Sequence, residues 1–458
     1  MSNENIELLN SYPRESIIKL AIPIIVTLIT LALYNVIDGI WVAGLGNTAI
    51  SGVGLVSPLW MLISGIATGL SSGVTSSIAR FRGQSDEKAN NVGEQAIILF
   101  IVSSIILSVL MLIVLFPFLD IYSTSPDIYN QGVEYAIPLF VGLFTFMFSS
   151  GLAAILRAEG DTKRAMYATS FGLILNAALD PVFIYCFNMG VAGAAFSSVF
   201  TSAITSLIIF YWIFIKKDTY IKLNNSNIIK FKIDWEILKD ILNTGIPASF
   251  VLFMLSLASF VFYYFINIIG GSFGVSVFSL GYRLYLLEIV PLMAICHALV
   301  AVVGNHFGHN NIKLVRKSHD YACLYCVIFG IVIAISFITF SEQLGYIFAI
   351  STNNLELVKG VSHFIDYTAL CMPFLGINLP STYLYQGLGK GLESLLCTTF
   401  TEIICTIPAT YLFAFTFNYG LAGIWMGFVF GRGFASIITF IFARYTIHSL
   451  EKNACLGD

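Results

Sequence analysis

Long apolar runs separated by short polar breaks recur along the whole chain. They fall near residues 17–41, 53–79, 92–118, 131–156, 164–187 and 190–215, and then near 237–267, 274–304, 319–340, 358–385, 392–415 and 420–444. A helix needs roughly 20 apolar residues to cross a bilayer, and each run offers about that length. Backbone groups in lipid must be satisfied within their own segment, so the runs are predicted to be helices. Gly-rich links such as Gly44–Gly46, Asn188–Gly190, Gly270–Gly271 and Asn418–Gly420 hardly interrupt the runs that flank them. The expected fold class is an all-α polytopic membrane protein with twelve transmembrane helices.

Composition sharpens this. Hydrophobic residues make up 57% of the chain and charged residues 11%. Soluble domains carry about a quarter charged residues, so no separate water-facing domain is expected. A net charge of −3 argues for no nucleic-acid partner. The eight cysteines are scattered through apolar runs, and the Cys323–Cys326 pair has no second pair, so they read as core residues. The first apolar run is longer than the core of a signal peptide and is expected to remain as a span.

Charge placement gives orientation. Twenty of the 23 basic residues fall in alternate connections or at the termini, including Arg14, Arg80, Lys163, Lys217, Lys313 and Lys452. Arg283 and Arg432 lie inside spans, and Lys359 alone lies opposite. The positive-inside rule then places both termini in the cytoplasm.

The chain also repeats itself. Asn188-Met-Gly-Val-Ala-Gly193 resembles Asn418-Tyr-Gly-Leu-Ala-Gly423, Leu20-Ala-Ile-Pro23 resembles Thr244-Gly-Ile-Pro247, and Phe81-Arg-Gly83 resembles His306-Phe-Gly308. The offsets stay between 224 and 230 residues. Six spans per repeat is an even number, which predicts two bundles related by a pseudo-twofold along the membrane normal, with a cavity between them. The expected domains are an N-lobe over 1–215, a cytoplasmic linker over 216–236 and a C-lobe over 237–458.

Ionisable residues inside spans are costly and mark function by default. In the first half these are Asp38 and Asp180. Tyr34 and Asn35 precede Asp38, and Asn176 precedes Asp180, at spacings that share one helix face. Ser198 and Thr201 add hydroxyls from the sixth span. Pro23 and Pro181 are expected to bend their helices and free carbonyls to act as ligands. Such an all-oxygen set suits a hard cation, and a proton competes for the same carboxylates. In the second half Arg283 and Arg432 can each pair with a carboxylate, line an aqueous cavity or attract an anionic substrate, and with Glu288 they are the candidates for the substrate cavity. His306 and His309 have the spacing of a metal pair, but they fall in a loop without acidic company, so no transition-metal site is expected.

Several motifs, taken in order, resemble the multidrug and toxic compound extrusion (MATE) family. These are Tyr34-Asn-Val-Ile-Asp38 with Trp41-Val-Ala-Gly44, Leu156-Arg-Ala-Glu-Gly-Asp161, Asn176-Ala-Ala-Leu-Asp180-Pro181 and Gly190-Val-Ala-Gly-Ala194. The spacing from Pro23 to Asp38 is similar to that of the prokaryotic DinF-type branch. The resemblance implies a monomeric exporter in a prokaryotic plasma membrane, moving small amphipathic organic compounds against Na⁺ or H⁺ with no other cofactor. It implies a cation site at Asp38, Asn176 and Asp180, with Ser198 where many members have Thr. Leu255 stands where the NorM-type branch has a carboxylate, which concentrates coupling in the N-lobe. The alternative is a lipid or lipid-linked saccharide flippase, whose head group Arg283 and Arg432 would attract. No clustered nucleophile or acid–base set argues for an enzyme.

Overall fold

The computed structural model describes residues 7–122, 125–223, 227, 228, 230, 232–349 and 355–456. Twelve long helices account for nearly all of them. The first six are α1 (Pro13–Ala43), α2 (Asn47–Arg82), α3 (Asp86–Tyr122), α4 (Pro126–Val141 continuing as Leu143–Ala158), α5 (Thr162–Cys186) and α6 (Gly190–Lys216). The second six are α7 (235–270), α8 (271–308), α9 (Ile312–Thr339), α10 (Leu355–Gly387), α11 (Gly391–Thr416) and α12 (Gly420–Leu456). A short helix, Ser341–Ala349, precedes α10.

Two of these spans are hidden by their own geometry. α7 and α8 follow one another with no intervening loop, the chain kinking at Gly271, whose φ of 52° and ψ of −147° suit a residue without a Cβ. α4 bends by 48° at Gly142. Pro138 lies one turn earlier, and a Cβ at Gly142 would lie 2.3 Å from Val199 of α6. α10 has Glu356, Lys359 and Asp366 in its first half, which lower its hydropathy, yet it packs against α9 and α12 like its neighbours.

The internal repeat is visible in the backbone. Asn188 and Asn418 take φ of 53° and 57°, and Gly190 and Gly420 take 55° and 60°. Just before each turn a π-helical segment closes, Val182–Cys186 in one repeat and Leu412–Thr416 in the other. Phe187 N–H donates to Val182 O and Phe417 N–H to Leu412 O, both at 2.9 Å. A Cβ at Gly193 would lie 2.7 Å from the Phe183 backbone, and one at Gly423 would lie 2.5 Å from that of Phe413. Both repeats therefore need glycine for the same close helix crossing.

By internal packing the chain divides into two units. One holds the residues up to Asn10 and Ile22–Ser249, and the other holds Ser11–Ala21 and Phe250–Asp458. In the first, Asp240 near the start of α7 takes two hydrogen bonds from Arg80 of α2, at 3.1 and 2.7 Å, and one from Ser77 at 2.6 Å. The connection before α7 is tied down as well. Glu159, in the turn after α4, accepts the main-chain N–H groups of Tyr220 and Ile221, and Gln95 of α3 donates to Lys232 O. In the second unit, Tyr12 lies edge-on to Tyr321 of α9, with Lys317 over its ring.

Candidate functional site

α1, α5 and α6 bring five of the seven candidate cation-site residues into one hydrogen-bonded cluster. Glycines let α5 and α6 approach on either side of it. A Cβ at Gly172 would come within 2.0 Å of the Thr205 hydroxyl, and Gly193 touches the α5 backbone beyond the site. Asp180 is fully buried, and Asn176 and Thr201 are each 3% exposed. The Asn176 amide satisfies its neighbours when its nitrogen faces Asp180, 3.1 Å from each carboxylate oxygen. Its oxygen then accepts from the Ser198 main-chain N–H at 3.0 Å and from the hydroxyls of Ser198 and Thr201 at 3.2 and 3.0 Å. Tyr34 Oη lies 3.3 Å from Ser198 Oγ, which brings α1 into the network.

Asp38, half-buried on α1, joins through the field rather than through a direct bond, since it and Asp180 interact electrostatically. Their like charges repel one another, more strongly the less water stands between them. Asn35 is exposed and joins none of these bonds, although it shares the face of Asp38 by spacing. Two contributors were not foreseen. Ser197 is fully buried, with its hydroxyl beside Asp180 and 3.4 Å from the Asn176 main-chain carbonyl. Tyr135 of α4 lies within electrostatic reach of both carboxylates. A preference for Ser198 alone hid Ser197; no sequence signal singled out Tyr135.

The proline expectation needs a correction. Pro181 has no N–H for the carbonyl four residues back, that of Ala177. This carbonyl is not left open as a ligand, because the Trp41 indole of α1 donates to it at 3.2 Å. Tyr185, in the π-helical segment that follows, donates to the Trp41 carbonyl at 2.6 Å. The proline thus stitches α5 to α1 instead of supplying an ion ligand.

The second repeat is chemically different at the matching positions. The offset of 224 carries Asp38 to Phe262, and that of 230 carries Asp180 to Thr410 and Ser198 to Phe428. Phe262 and Phe428 are buried with ring centroids 4.4 Å apart. Nearby, Arg432 is 4% exposed. It grips Glu402 of α11 with two hydrogen bonds of 3.2 and 3.1 Å, donates to Tyr285 Oη at 3.0 Å and stacks 4.7 Å from the Phe428 ring. Three of its five N–H donors are spent in this way, and pairing with a carboxylate is one of the roles its sequence position leaves open. Glu402 sits inside an apolar run, and the rule that singled out Asp38 applies to it equally. Arg283 is exposed on α8. Glu288 is 1% exposed and accepts from the Thr368 hydroxyl at 3.3 Å. His306 lies in the last turn of α8 and is buried, not in a loop, while His309 Nδ1 is 2.8 Å from Asn305 O. Among the described residues no group of three or more His, Cys, Asp or Glu side chains is placed to hold a metal ion.

The family model described as MatE matches residues 23–182 and 247–412, one segment in each repeat. A probable multidrug resistance protein NorM from Thermotoga maritima is 26% identical over 457 residues, covering 97% of this chain and 94% of the relative. The multidrug export protein MepA of Staphylococcus saprophyticus is 22% identical over 88% of this chain and 87% of its own length. An outward-facing structure of a multidrug resistance MATE family transporter of the MOP superfamily superposes with a TM-score of 0.94 at 32% identity, over 98% of this chain and 99% of that one. A MOP superfamily transporter from Pyrococcus furiosus, described as having a binding pocket of reverse polarity that suggests a different function, superposes with a TM-score of 0.93 at 32% identity, over 98% of each chain.

Proposed function

The chain belongs to the MatE family of multi-pass membrane transporters, and from that premise we propose that it exports amphipathic organic compounds in exchange for Na⁺ or H⁺. The observation that carries the proposal is the Asp38–Asn176–Asp180 cluster with its hydroxyls. Its donor atoms are all oxygens apart from one amide nitrogen, which suits a hard monovalent cation or a proton and excludes a soft metal. The distribution of basic residues supports a reading with both termini in the cytoplasm of a prokaryote, in which the coupling ion enters from outside.

Exchange follows from differential binding. An ion on Asp180 neutralises a buried charge and frees the Asn176 amide, which loosens the α1–α5–α6 packing. The state with the ion bound is then preferred when drug is absent, and drug binding favours the other state. Asp38→Asn and Asp180→Asn should each abolish gradient-driven efflux from proteoliposomes while the protein is still expressed and purified normally. Separately imposed Na⁺ and H⁺ gradients identify the ion. Efflux driven by either gradient in both single variants would refute the assignment.

The flippase alternative is weakened at Arg432, which is paired with Glu402 and bonded to Tyr285, and leans on the exposed Arg283. It predicts loss of activity in Arg283→Gln with Asp38→Asn unaffected, the reverse of the ranking expected for the exporter.

A further inference from the structure

Among the described residues no basic side chain pairs with Glu288. It lies on α8 inside the second unit, 1% exposed, and its Oε1 accepts one hydrogen bond, 3.3 Å from the Thr368 hydroxyl of α10. Oε2 is buried with no hydrogen-bond partner. The charged and titratable groups around it are otherwise occupied. Arg432 of α12 is bound to Glu402 of α11 and to Tyr285, one turn before Glu288 on α8. Cys371 of α10 stands within the fields of Glu288 and of the Arg432–Glu402 pair, and its thiol is turned to the Phe428 carbonyl. An ionised carboxylate buried here would face, among the described residues, a single neutral hydroxyl. That costs several kcal/mol, whereas the neutral acid avoids burying a charge.

We propose that Glu288 is a proton-binding site of the second unit, separate from the Asp38–Asp180 cluster. The site holds one proton while α8 and α10 pack as they do here. When that contact opens to water, the O–H bond breaks, the proton passes to a water molecule and the electron pair stays on the carboxylate. Glu288 is thereby a sensor of packing in the repeat that lacks the first repeat's carboxylates, whichever ion the first repeat takes. The proposal goes beyond the exporter reading and does not depend on it.

The test uses full-length protein in lipid nanodiscs and pH-difference infrared spectroscopy. Asp38→Asn/Asp180→Asn serves as background, so that the Asp38–Asp180 cluster contributes no carboxylic-acid signal, while other protonated carboxyls such as Glu159 are common to both proteins and cancel in the comparison. Adding Glu288→Gln to this background should remove a protonated-carboxyl band and lower the proton release between about pH 5 and about pH 9 by about one proton per chain. Thr368→Val removes the hydrogen bond to Oε1 and should move the same band to higher frequency, which tests the assignment even if Glu288→Gln fails to fold. Identical spectra and proton counts with and without Glu288→Gln, or a band that Thr368→Val leaves in place, would overturn the proposal. Failure of coupled transport in the background variant bears only on the exporter reading, because the Glu288 band is scored in protein that does not couple.

Discussion

Replacing Arg432 by Leu should be among the most destabilising single changes available in the second unit. The substitution leaves Glu402, itself 5% exposed, as a buried charge without either of its two guanidinium hydrogen bonds. Removing one member of a buried pair costs about 3–5 kcal/mol, and the lost donor to Tyr285 adds about 1 kcal/mol. At about 2–4 °C per kcal/mol for a unit of this size, the thermal midpoint should drop by roughly 8–24 °C. Glu402→Leu should behave similarly, because it strands the arginine instead. The double variant Arg432→Leu/Glu402→Leu removes both charges and should recover most of the loss, with a coupling energy of about 2–3 kcal/mol. The assay is thermal unfolding of the detergent-solubilised protein followed by its own fluorescence, for all four members of the cycle. Additive losses would refute the view that the pair is a closed structural unit. So would Arg432→Leu that unfolds normally but no longer binds substrate, because that would return Arg432 to the cavity.

Trp41→Phe keeps the ring but frees the Ala177 carbonyl, so it should cost about 1–2 kcal/mol in thermal stability and weaken ion binding by calorimetry; an unchanged ion affinity would separate the stitch from the site. Gly172→Ala drives a methyl into the Thr205 hydroxyl and should cost about 1–3 kcal/mol, with Gly172→Ala/Thr205→Ala recovering most of it in the same melt. Burial pushes the Glu159 carboxyl from its ordinary 4.5 up to about 8, against the pull of the Ile221 and Tyr220 amides. The folded chain therefore holds a proton that the unfolded chain has lost, and stability should fall as pH rises from about 4.5 to about 8, by at most ~1.4 kcal/mol per pH unit, then level off. Glu159→Gln should flatten that slope in thermal melts, and a slope that survives the substitution assigns it elsewhere.

The spans were legible because lipid leaves a helix no alternative, and the repeat showed because Asn188–Gly190 and Asn418–Gly420 both need left-handed backbone. Asp38, Asn176 and Asp180 were legible as a face because helical spacing and the cost of a buried carboxylate point the same way. Spacing alone overreached at Asn35, since a helix face says nothing about which of its residues meets a neighbour. It fell short at Ser197, where only the crossing angle of α5 and α6 selects between adjacent serines. Glu402 was within reach of the rule that found Asp38, but its pairing with Arg432, 30 residues later, depends on two helices packing together. The indole that takes up the Ala177 carbonyl is likewise a tertiary fact.

That indole has an optical consequence. The chain has five tryptophans, and Trp41 spends its only hydrogen-bond donor on the carbonyl left open by Pro181, one turn before the buried carboxylate. Any event that moves α1 against α5 must break that bond and change the polarity around the ring. Under the proposed mechanism, the fluorescence difference between the wild-type chain and Trp41→Phe is a built-in signal of site occupancy. The proposed ion-binding step can then be followed in real time with no attached dye.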